Sequence, residues 1–117
     1  MGKNMNAYKL ITASPTTRRW LSIIKSELKK ICPNIGYRET KHYAPLYSSV
    51  ERKIIAHLNP QSGQIRIFLR IPCSTDELLQ PTPSTGSYAK NFPSLFILKN
   101  EALIEKAIEL IILSYNL

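Results

Sequence analysis

The sequence predicts a single two-layer α+β domain, and three observations carry that expectation. They are a capped amphipathic segment from Ser14 to Ile31, alternating strands between Val50 and Ile71, and a second amphipathic segment after Asn100. The expected order is helix, an antiparallel sheet of three to four strands, then a C-terminal helix, with the helices packed on one sheet face. The opposite face is then at least partly open, or covered by the long loop or by a second copy of the chain. At 117 residues the chain fits one domain with its own hydrophobic core, without need of disulfides or structural metal.

Residues 1–13 lack a strong pattern and read as a partly ordered N-terminal arm, in which Tyr8, Leu10 and Ile11 are available to pack. The domain proper is expected over residues 14–117. Ser14-Pro15 supplies an N-cap followed by proline at the first helical position, and Trp20, Leu21, Ile24, Leu28 and Ile31 recur at helical spacing. Pro33 disfavours helical geometry at Cys32, so the helix should run from about Pro15 to Ile31. Between Tyr37 and Ser48, Pro45 suggests an edge strand or an irregular extended segment.

The hairpin follows. In its first arm Ile54, Ala56 and Leu58 alternate with Lys53, Ile55 and His57; Asn59 to Gly63 supplies the turn. In its second arm Ile65, Ile67, Leu69 and Ile71 alternate with Gln64, Arg66, Phe68 and Arg70. Cys73 to Pro93 is rich in Pro, Gly, Ser and Thr and reads as one long loop, a kind that is often functional. Leu95 to Leu98 reads as a buried last strand. Asn100 is expected to cap the final helix, which has Leu103, Ala107, Leu110, Ile111 and Tyr115 on a wide apolar face and Glu101, Glu105 and Glu109 opposite. Ile112 projects among those glutamates, as a stray surface aliphatic or part of an interface.

Sixteen Lys and Arg against eight Asp and Glu give a net charge of +8, which favours anionic partners. Residues 100–117 carry a net −2, leaving +10 on the first 99, so an anion should meet that part of the chain. Cys32 and Cys73 form neither a zinc-ligand pattern nor a redox pair, and two reduced thiols suit a cytoplasmic protein. No apolar run reaches the ~20 residues that span a bilayer, and the chain opens without a signal-peptide pattern. A soluble protein with no membrane partner is expected.

Side chains switch faces at each strand residue, so the hairpin places Lys53, His57, Arg66, Phe68 and Arg70 on one surface. Cations that track phosphates beside an aromatic that stacks on a base are the makings of a nucleic-acid site. Arg18, Lys25 and Lys29 form a second basic stripe on the first helix, suited to phosphates or simply to solvent. No catalytic residues, metal ligands or cofactor are expected. Cys32 and Cys73 lack an activating context beside His42 or His57, Glu39 with Glu51-Arg52-Lys53 is too sparse in carboxylates for metal-dependent phosphoryl chemistry, and the glycines form no phosphate-cradling loop. The expected function is a small basic domain that contacts nucleic acid through its cationic sheet face. The alternative is a self-associating or protein-binding module.

The run from Tyr43 through Lys53-Ile54-Ile55-Ala56-His57-Leu58, the strand from Gln64 to Ile71 and the final helix resembles a family of small uncharacterised α+β domains. These occur alone or fused to predicted transport and nuclease-associated proteins. The closing Ser114-Tyr115-Asn116-Leu117 is similar to the end of double-wing DNA-binding domains of the MmcQ/YjbR type. The resemblance covers roughly residues 37 to 117 and implies no catalytic residues. An aromatic near the last strand is common in both groups; here Tyr88 stands in the proline-rich loop instead.

Overall fold

The computed structural model describes residues 9–84 and 86–117; the part of the expected arm that precedes Lys9 lies outside the described residues. Helix α1 spans Pro15–Ile31. Ser14 Oγ accepts from the Thr17 amide at 3.1 Å, and the Ser14 amide donates to Thr17 Oγ1 at 2.9 Å, so two amides left open by the first turn are satisfied reciprocally. At the far end Cys32 leaves helical geometry at φ −130°, ψ 82°, as the following proline requires. Just before the helix, Leu10 is fully buried in the core, and its amide donates to the Thr40 carbonyl at 2.9 Å.

The sheet has six antiparallel strands, which corrects the expected three to four. They are β1 (Ile35–Tyr37), β2 (Ala44–Ser48), β3 (Lys53–Pro60), β4 (Ile65–Leu69), β5 (Gln80–Pro81) and β6 (Ser94–Leu98), in the spatial order β1-β2-β3-β4-β6-β5. The two missed strands are the edges, three and two residues long, too short to show alternation. Pro45 lies on an internal strand, not an edge. Its carbonyl meets the Arg38 amide at 3.4 Å, one residue beyond the last β1 pair, Tyr37 with Leu46. Its nitrogen faces the same side, toward the Arg38 carbonyl just past the end of β1, so the missing N–H costs one bond at the very end of that ladder.

Helices α1 and α3 (Ile104–Tyr115) cover one face of the sheet. Ile24 and Leu28 from α1 and Leu110 and Ile111 from α3 join Leu46, Leu58, Ile67 and Leu98 in the main core, an apolar burial that dominates folding. Asn100 makes no side-chain cap; a 3-10 turn, Glu101–Leu103, leads into α3 instead. Ile112 is partly buried against the core and is not a stray surface residue.

A β-bulge changes the facing of β3. Leu46 pairs with Ala56 but Tyr47 pairs with Ile54, so Ile55 is the extra residue. Ile55 and Ala56 both enter the main core, while Ile54 turns to the other face. The expected alternation, with Ile54 inside and Ile55 outside, is reversed there because one inserted residue shifts the phase of a period-two pattern. On that other face a second cluster forms from Phe68, Phe92 and Leu95, packed by Ile54, Tyr88 and Ile97. It is roofed by the short helix α2 (Ser87–Asn91), so not every helix lies on one face. No helix among the described residues is long and apolar enough to cross a membrane.

Candidate nucleic-acid interface

The strand register sets which cations stand together. His57 pairs with Phe68, and Asn59 pairs with Arg66, so His57, Arg66 and Phe68 share the face turned away from α1 and α3, and Arg70 follows two residues on. Lys53 does not. It pairs with Ser48, whose other partner is the buried Ile35 of the main core. The bulge at Ile55 puts Lys53 out of phase with the other four, and its Nζ lies 3.0 Å from the Glu51 carboxylate.

The long loop folds over this face. Thr82 Oγ1 donates to the Phe92 carbonyl, and the Thr82 amide donates to the Pro93 carbonyl at 3.1 Å, closing the segment between them. Helix α2 presents Tyr88, and Phe92 follows one turn later. The Tyr88 ring lies nearly parallel to His57, with centroids 5.9 Å apart, and its hydroxyl is 3.2 Å from His57 Nδ1. It meets Phe68 edge-on at 5.5 Å, and Phe92 approaches His57 at 5.1 Å. Phe68 is left only 5% exposed, so the ring expected to stack on a base is buried under the loop. Tyr43, 5.4 Å from the His57 ring and 37% exposed, is the accessible aromatic.

The two arginines have different surroundings. Arg70 Nε donates to the Ile54 carbonyl at 2.6 Å, and its guanidinium sits 5.2 Å from the Phe92 ring, which ties it to the bulge and the loop. Arg66 lies 5.1 Å from the Phe68 ring and lines a groove of about 300 Å³ with Tyr43, Thr82, Pro83 and Tyr88. Among the described residues neither arginine pairs with a carboxylate, whereas Arg19, Lys30, Lys53 and Lys106 all do. An unneutralised guanidinium beside two tyrosines can bind an anion and stack a planar group in the same groove.

Burial pushes the His57 pKa below its ordinary value, and the nearby Arg38 lowers it further. His57 is therefore neutral at pH 7 and does not act as the cationic donor its position on the face suggests. Burial pushes Tyr88 up to about 12, with Tyr43 adding and Arg66 opposing, so its hydroxyl stays protonated. These shifts predict acid sensitivity. As pH falls through the ordinary histidine value of about 6.5, the unfolded chain takes up the His57 proton before the folded one, and stability present above that pH is lost. Urea unfolding at pH 7.5 and pH 5.5 should show the loss, and His57→Gln should remove most of it. An equal loss in that variant would place the titrating group elsewhere.

The basic residues of α1 belong to a different surface. The Arg18 guanidinium donates to the Lys9 and Leu10 carbonyls at 3.1 and 3.2 Å, and Lys25 Nζ sits 4.8 Å from the Tyr37 ring. Lys25 and Lys29 line a separate hollow of about 250 Å³ between α1 and β1. Arg18 is thus engaged in holding the segment before the helix. Tyr43, Tyr88 and Phe92 did not figure among the expected site residues; the i, i+4 spacing of the last two between Gly86 and Pro93 was the available signal. No family model matches the chain, and no curated protein or solved structure is significantly similar to it.

Proposed function

We propose that this domain binds single-stranded nucleic acid in the groove that Arg66 of β4 lines with Thr82, Pro83 and Tyr88. Arg66 contacts a phosphate, and Tyr43, with the edge of Tyr88, receives a base. The observation that carries this reading is the Arg66 guanidinium, free of any carboxylate among the described residues and lining one groove with those two rings. Phe68 supports Arg66 from beneath in place of stacking on a base, and Arg70 holds the loop. Self-association is the weaker reading. Apart from Tyr43, the large exposed apolar side chains are Ile11, Ile31, Val50, Leu78, Leu113 and Leu117; only the last two share an element's end, where a stable interface needs a sizeable contiguous patch.

A duplex hides its base faces and a single strand does not, so strand type tests the stacking role. Fluorescence anisotropy with a labelled single strand and a duplex of equal length should show the single strand bound at least roughly 10-fold more tightly. Equal or tighter duplex binding would contradict the groove.

A further inference from the structure

A third hollow, of about 400 Å³, lies at the β2–β3 turn, lined by Arg38, Tyr47, Arg52 and Lys53 with Ser48 and Ser49. We propose that it is a phosphate subsite, holding a backbone phosphate of the same strand whose base lies against Tyr43; the identity of that ligand rests on the single-strand reading above. Tyr47 pairs with Ile54, which puts it on the His57 face, and Arg38 is close enough to depress the His57 pKa. The Tyr47 wall of the hollow therefore lies on the side of the sheet that carries the Arg66 groove, while Ser48 and Lys53, out of phase with it, close the hollow at the end of the sheet.

Both walls are built from specific local structure. On one side the Tyr47 ring lies across Gly36, where an added Cβ would fall 2.2 Å from the ring's Cζ, and the Arg38 guanidinium stands 5.4 Å from the same ring. Only glycine at position 36 leaves the ring that place. On the other side Ser48 organises the turn: its carbonyl accepts the Arg52 amide at 2.8 Å and its Oγ accepts the Glu51 amide at 3.0 Å. Arg52 sits at φ +58°, a left-handed conformation that costs an L side chain energy and that glycine adopts freely. Arginine held in such a conformation points to a use for its side chain.

The charge count supports an anion. Arg38, Arg52 and Lys53 face one carboxylate, Glu51, which is 3.0 Å from Lys53 Nζ. Among the described residues neither guanidinium is paired with an acid. Two unpaired guanidinium groups beside the Glu51-paired Lys53 ammonium suit the oxygens of a phosphate, which a planar guanidinium meets two at a time.

Arg52→Gly is the discriminating variant, because it removes the cation and relieves the left-handed backbone, and so should keep the fold. In a nitrogen–proton NMR titration of the full chain with inorganic phosphate, amides of residues 48–53 should shift and saturate. Those shifts should vanish in Arg52→Gly and persist in Arg66→Gln. Shifts absent from this turn, or unchanged in Arg52→Gly, would overturn the subsite whatever the oligonucleotides do. With a labelled single strand, Arg52→Gly should weaken binding roughly 10-fold and flatten its salt dependence. Phosphate binding at the turn without any oligonucleotide binding would overturn the strand assignment and the proposed function, and leave only an anion pocket.

Discussion

Arg66→Glu should lower single-strand affinity by roughly 100-fold, about 3 kcal/mol, while the protein stays folded. The size follows from two losses at once: a guanidinium–phosphate contact disappears, and a carboxylate then repels the same phosphate. The fold should tolerate the change because Arg66 is only half-buried and its side chain is held chiefly by the Phe68 ring, a contact worth on the order of 1 kcal/mol. Arg70→Glu is not an equivalent probe. It would remove the donor to the Ile54 carbonyl and the cation beside Phe92, so lost binding there would report a displaced loop. Anisotropy and thermal unfolding on Arg66→Glu together separate the two effects. Unchanged affinity in a folded variant would remove Arg66 from the site.

Ser114→Ala should destabilise the domain by about 2–4 kcal/mol, a large share of the total for a domain this size. Ser114 is fully buried. Its Oγ accepts the Arg70 amide at 3.0 Å and donates to the Ile55 carbonyl at 2.7 Å. One hydroxyl of α3 thereby satisfies two backbone groups that the bulge and the end of β4 leave without strand partners. Alanine leaves the Ile55 carbonyl buried and unpaired and the partly buried Arg70 amide without its partner, at a cost of about 1–3 kcal/mol for the first and less for the second. Urea denaturation checks this, and a loss below about 0.5 kcal/mol would mean that the two groups find other partners. The serine thus links the C-terminal helix to the strand residues that carry His57 and Arg70.

These contacts show what the sequence could and could not disclose. The helix from Pro15 to Ile31 was legible because its signals are local: a cap, a proline and an apolar stripe within one segment. The strands of the hairpin were legible from alternation, and so was the grouping of His57, Arg66, Phe68 and Arg70. Lys53 was misplaced by the bulge at Ile55, which no residue type announces. Its partner in the structure, Ser114, is 59 residues away. Cover of the Phe68 face by the long loop was one of the alternatives the sequence left open, and nothing in it chose among them. Ile54, Leu95 and Ile97 make the second face apolar enough to need a roof, yet each comes from a strand whose facing depended on that bulge or on a run too short to phase. Tyr88 and Phe92 sat in a segment whose prolines read as loop, although four-residue spacing can form one helical turn. The Arg38–Arg52 hollow depends on Gly36 and on a left-handed arginine, neither visible as a motif.

On the proposed reading, phosphates of a single strand meet unpaired arginines at the Arg66 groove and the β2–β3 turn. A salt series of anisotropy titrations on the native protein, with a labelled single-stranded oligonucleotide, tests it most directly. Two phosphate contacts, at Arg66 and at the β2–β3 turn, predict a log–log slope of about −1.4 or steeper, at roughly 0.7 per phosphate. A slope near zero, or no binding at low salt despite the +8 charge, would contradict the account.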